Sequence, residues 1–160
     1  MQFYLTAVFE HAKSLDDRLY GYYMLIRSLA SVGSLDEATE KLFIVLEQLD
    51  VDLPDKAEVT PDLVRKELMS TKSIIEGLTP DEILSARRMT DARSIWVVKL
   101  LSIFIQFLYL ARPKYLPLVA SRMIKISASA GYSSDSALGF LGFGHSLIGE
   151  NLCPSIAFCV

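Results

Sequence analysis

Tyr20-Gly21-Tyr22-Tyr23-Met24-Leu25-Ile26-Arg27-Ser28-Leu29-Ala30-Ser31-Val32-Gly33-Ser34-Leu35-Asp36-Glu37-Ala38-Thr39-Glu40-Lys41-Leu42-Phe43-Ile44-Val45-Leu46-Glu47-Gln48-Leu49 is the stretch that decides the fold. Tyr22, Leu25, Ile26 and Leu29 recur at three and four residues, the spacing that lines one face of a helix. Gly33 breaks the pattern, and Ala38, Leu42 and Val45 resume it on a second helix. Ser34 with Glu37 has the form of a capping box, a serine accepting from the third helical N–H while the glutamate reaches back. Two helices joined by so short a turn pack antiparallel.

The same punctuation extends outward. Ser14 precedes Asp16 and Asp17, an N-cap followed by first-turn acids that favour the positive helix end. Thr60-Pro61-Asp62 and Thr79-Pro80-Asp81-Glu82 place proline at the first helical position, where its missing N–H costs nothing. The expected helices run over 2–13, 15–32, 35–50, 61–76, 80–86, 92–111, 115–129 and 134–148. No stretch alternates with period two for long enough to make a strand, so the fold class is all-α, an antiparallel helix-pair stack. Residues 1–149 form the expected helical domain. Residues 150–160 are an atypical apolar tail interrupted by Pro154, and read as a truncated or mis-spliced end.

With 51 % hydrophobic and 22 % charged residues the chain can bury a core and is not of disordered composition. Residues 1–90 carry 16 acids and 10 bases, residues 91–160 three acids and six bases. The acidic half argues against phosphate-backbone binding, and the basic half is too sparse to count as a patch, so nucleic acid is not an expected partner. Two cysteines, Cys153 and Cys159, make no disulfide framework, and no basic leader opens the chain, so a reducing, cytoplasmic setting is expected. Ile95 to Ala111 is strongly apolar between Arg93 and Arg112. It is short for a membrane span, and Lys99, Ser102 and Gln106 give it one polar stripe. A helix buried in a helical stack is therefore expected, and a membrane is not an expected partner.

The pair from Tyr20 to Leu49 resembles the tetratricopeptide helix pair, with a small residue, Ala38, early in the second helix. It lacks that repeat's leading tryptophan, and Asp50 stands where its closing proline falls. A longer order of features follows: Leu46 to Pro54, Gly77-Leu78-Thr79, Met89-Thr90-Asp91, the apolar helix, Pro113 to Leu118, Arg122 to Ile126, Ser136 to Phe140 and Phe143 to Leu147. Over residues 15–149 this series resembles the tetratricopeptide-like helical region downstream of the AAA/STAND-type ATPase module in large bacterial and algal multi-sensor serine/threonine or histidine kinases. The resemblance implies a regulatory segment without chemistry of its own, its partners being the neighbouring ATPase and kinase modules. The phosphate-binding and kinase motifs of that family have no counterpart here. The chain would then be a fragment, a truncated product or a degenerate copy. The other reading is a free-standing adaptor that holds a partner peptide.

No catalytic, cofactor or metal residues are expected. Gly139, Gly142, Gly144 and Gly149 do not have dinucleotide-loop spacing and read as small residues for close helix contact. His145, Cys153 and Cys159 match no zinc module. Partner contact is assigned to Tyr20, Tyr22 and Tyr23, aromatic side chains with a polar tip, with Tyr4 a further candidate. Arg87 and Arg88 could face an acidic partner or phosphate, their default being a solvated loop pair.

Overall fold

A computed structural model of the chain describes residues 9, 11–54, 58–79, 81–82, 85 and 87–149. It divides into two compact units, Met1–Leu53 and Pro54–Val160. Among the described residues the regular elements are helical: α1 (Leu15–Ser31) and α2 (Leu35–Gln48) in the first unit, then α3 (Pro61–Glu76), α4 (Ala92–Ala111), a 3-10 turn (Pro113–Tyr115), α5 (Leu116–Ala130) and α6 (Ser136–Gly149) in the second. The all-α class holds. The helix expected over 2–13 lies outside the described residues apart from Phe9 and His11, which are helical, and Ala12 and Lys13, which are not; that over 80–86 is described only at Asp81, Glu82 and Ser85.

In the first unit α1 and α2 pack on each other. Leu19 and Ile26 of α1 and Ala38, Leu42 and Val45 of α2 are fully buried, while Leu25 and Leu29 are only half-buried. Ser14 opens α1 with a reciprocal box completed by Asp17. The connection to α2 is a Schellman closure: Gly33, at φ +83°, donates to Ala30 O, and Ser34 N donates to Leu29 O. That closure corrects the box expected at Ser34. The serine already serves as the last residue of the α1 stop, its ψ of 59° is not the extended geometry of a cap, and its side chain makes no cap hydrogen bond. α2 ends the same way, with Asp50 at φ +52° donating to Glu47 O and Val51 N donating to Leu46 O. Val51 and Leu46, the apolar pair that seals such a stop, are both buried.

In the second unit α5 is the hub on which α3, α4 and α6 each pack. Leu116, Val119, Ala120, Met123 and Ile124 form one buried stripe, and Leu118 and Ser121 extend burial to a second face. α6 can lie close because it offers glycine. A Cβ added at Gly139 would stand 2.8 Å from Met123 Cβ, and one at Gly142 would stand 3.3 Å from Ala120 Cβ. α3 is tied to α5 by an ion pair between Glu67 and Lys125. Tyr115, almost wholly buried, donates its hydroxyl to Pro54 O at 2.8 Å.

α4 is long and apolar enough to cross a membrane, yet 56 % of its most apolar stretch is buried in the fold. Its expected polar stripe is split. Gln106 is exposed and Lys99 half-buried with its ammonium 5.2 Å from the Trp96 ring centre, but Ser102 turns inward and donates to Lys99 O and Asp135 Oδ1. A serine on the apolar side of a helix can be buried because its hydroxyl finds acceptors there.

Replacing Gly139 by alanine is expected to destabilise the chain by about 1–3 kcal/mol in denaturant unfolding, because Met123 Cβ belongs to a packed backbone and cannot swing away. The helix-propensity gain of about 1 kcal/mol from Gly→Ala would dominate only if α5 and α6 were further apart.

Stability is also expected to fall with acid. Asp17 is held below its ordinary value by the Ser14 hydroxyl, Glu82 by the Thr79 amide, and Asp91, the α4 N-cap, by Ser94. A carboxylate with a lowered folded pKa contributes stability above its unfolded value and loses it as pH falls through the lowered one. Melting temperature should decline as pH drops below about 4, and Asp91→Ala should flatten part of that decline.

Candidate functional site

The sequence-assigned contact residues fall into two separate groups. In the first unit, Tyr20, Tyr23 and Arg27 lie at three- and four-residue spacing on α1, which puts them on one stripe. Tyr20 is 60 % exposed, and its ring stacks on Tyr23 with centroids 6.2 Å apart and planes 22° apart. Arg27 closes the ladder, donating to Tyr23 Oη at 3.2 Å with its guanidinium carbon 5.7 Å from the ring centre. Tyr22 does not join them. It is half-buried and meets Phe9 edge to face at 4.9 Å. Tyr4 lies outside the described residues.

The ladder presents two flat faces, a hydroxyl and a cation. Such a surface gives contact area with little side-chain freedom to lose, which suits recognition of a protein surface. Leu19 and Ile26 take the buried side of α1, and the ladder runs along the flank beside it.

In the second unit Arg87 and Arg88 are exposed, as a solvated pair would be, but their backbone is fixed. Tyr132 N donates to Arg87 O and Met89 N donates to Tyr132 O, both at 2.9 Å, a one-residue parallel β-bridge. Met89 is buried and anchors the segment. The crossing requires Gly131: its φ is +100°, and a Cβ there would stand 2.5 Å from Arg87 O. Beside the bridge is a cleft of about 330 Å³ whose lining includes Leu78, Glu82, Arg87, Ser129 and Tyr132. Glu82 is engaged by Thr79, which donates to it from both amide and hydroxyl. Ser127 and Ser136 share a hydrogen bond of 2.8 Å and Ser133 N donates to Ser136, so these hydroxyls join the end of α5 to the start of α6.

Among the described residues no three metal-ligating side chains come together. His145 meets Tyr109 edge to face at 5.3 Å, and Cys153 and Cys159 lie outside the described residues. Of the α6 glycines, Gly139 lies against α5 and Gly142 against α5 and α4, whereas a Cβ at Gly149 would meet nothing within 4 Å.

The sequence reading passed over one surface. Leu110 is 81 % and Leu141 69 % exposed, and Tyr109 and Ile148 are each 46 % exposed. A signal existed on α6: Leu141, His145 and Ile148 share the face opposite buried Gly139, Gly142 and Ser146. On α4 no signal existed, because its exposed end is as apolar as its buried middle.

Comparison with protein-family models, curated proteins and solved structures finds no match to this chain.

Replacing Gly131 by alanine is expected to cost at least the roughly 1–2 kcal/mol of a left-handed non-glycine backbone. It should also speed amide exchange at Met89 and Tyr132 while leaving α1 and α2 unchanged, a pattern that hydrogen exchange resolves.

Proposed function

We propose that this chain is a non-catalytic helical scaffold that works in signalling through protein–protein contacts in the cytoplasm. The observation that carries the reading is the exposed Tyr20–Tyr23–Arg27 ladder on α1. Aromatic and arginine side chains displayed together are the groups that dominate binding energy at protein interfaces. The fixed, exposed Arg87 and Arg88 offer a second point of contact to an acidic partner.

In its finer form the reading is a tetratricopeptide-like segment of a large ATPase–kinase, restraining or transmitting the state of neighbouring modules. Three features favour this form: the two-helix hairpin, its buried Ala38, and the order of features from residue 15 to 149. Asp50 departs from the repeat's pattern, since a φ of +52° is closed to the proline found there.

The test has two parts. An antibody to residues 55–90 reports the size of the native protein, where a band many times 17.9 kDa fits the ATPase–kinase segment and one near 17.9 kDa the adaptor. Tyr20→Ala with Tyr23→Ala should leave the helical circular dichroism intact and weaken partner retention by more than tenfold, the loss expected at a hot spot. Unchanged retention, or ATP turnover by the isolated chain, would overturn the scaffold reading.

A further inference from the structure

We propose that the outward surface shared by α4 and α6 seats on an anionic lipid surface. The two helices run side by side in the same direction. Ser102 meets Asp135, Ile105 meets Gly142, and Tyr109 meets His145, so the contacts advance along both helices together. That register sets Tyr109 of α4 against His145 of α6, with exposed Leu110 next along α4 and exposed Leu141 and Ile148 about one turn before and one turn after His145. Four large apolar side chains in one place make a patch of the kind that marks an interaction site.

Charge selects the occupant. Between Asp91 and Asp135 the sequence carries six basic side chains and no acidic one; of the six, Lys125 is paired with Glu67, and the next acid is Glu150, after α6. Asp91 caps the start of α4 and Asp135 precedes α6, both away from the apolar end. A half-buried Arg112 and an exposed Lys114 follow Leu110 by two and four residues. Exposed apolar side chains with Arg112 and Lys114 just beyond them match a bilayer boundary, where the first enter the acyl region and the second meet anionic headgroups. Duplex nucleic acid would engage the cations and leave the leucines unused.

The contact is peripheral. α4 is packed against α5 and α6 along most of its length, so it does not offer the all-round apolar surface of a span. The expectation against a membrane rested on the length and polar stripe of a span, and a surface contact requires neither. This proposal stands apart from the α1 ladder and does not depend on a protein partner.

The experiment is co-sedimentation of the full chain with vesicles of phosphatidylcholine alone and of phosphatidylcholine mixed with phosphatidylserine. The chain should pellet with the mixed vesicles, stay in solution with the neutral ones, and be released by salt. Leu110→Asp with Leu141→Asp should abolish pelleting, whereas Met69→Asp, at an exposed position of α3, should not; circular dichroism confirms that each variant is folded. Lys114→Gln should weaken binding about fivefold. Absence of pelleting, equal pelleting with neutral vesicles, or indifference to the double substitution would each overturn the proposal. If instead the same double substitution dissolves a dimer in sedimentation velocity and no vesicle binding occurs, the patch belongs to a second copy of the chain.

Discussion

The second unit depends on how closely α6 lies against α5. At Gly139 the space for a side chain is already taken by Met123 Cβ, 2.8 Å from where its own Cβ would stand. That approach fixes which face of α6 is buried, and through Gly142 and Ile105 it sets α6 against α4 as well. At Gly131 a second missing side chain lets Tyr132 pair with the segment bearing the two arginines. The direction of the exposed α6 stripe follows from the missing side chain at Gly139, and the crossing beside Arg87 from that at Gly131. Interiors are packed densely enough that such a contact is all or nothing.

Much of this was legible in the sequence because helix ends are written in short-range chemistry. Thr60-Pro61 and Asp91-Ala92 mark starts that the structure keeps. Ser34 failed because local chemistry was asked to do two things in a three-residue turn, and the α1 stop took precedence over the α2 cap. Ser102 failed because periodicity reports polarity, not whether a distant acceptor such as Asp135 waits on the buried side. The bridge at Arg88 was illegible, since a single pairing leaves no period and its cause, Gly131, lies over forty residues away in the chain.

The candidate surfaces divide along the same line. A tyrosine triplet is visible in any reading, yet its members part company once the helix is built, with Tyr20 and Tyr23 stacked on Arg27 and Tyr22 turned to Phe9. A spacing of three or seven residues keeps side chains on one stripe and a spacing of two does not. Charge separation along the chain is equally visible, but its use depends on Leu110 and Leu141, whose exposure only the packing of α4 and α6 decides.

The bond from Tyr115 to Pro54 joins residues 61 positions apart, and the pair Glu67–Lys125 joins residues 58 apart. α3 therefore meets its partner helix only after α4 has been made. On a ribosome adding about 5–20 residues each second, that is a wait of several seconds with the inner side of α3, Val64 and Leu68 among it, uncovered. The first unit has no such interval, since α2 follows α1 after three residues. Birth of the chain is thus staggered: the early hairpin can close on itself at once, while the later helices must be kept from straying until α5 arrives.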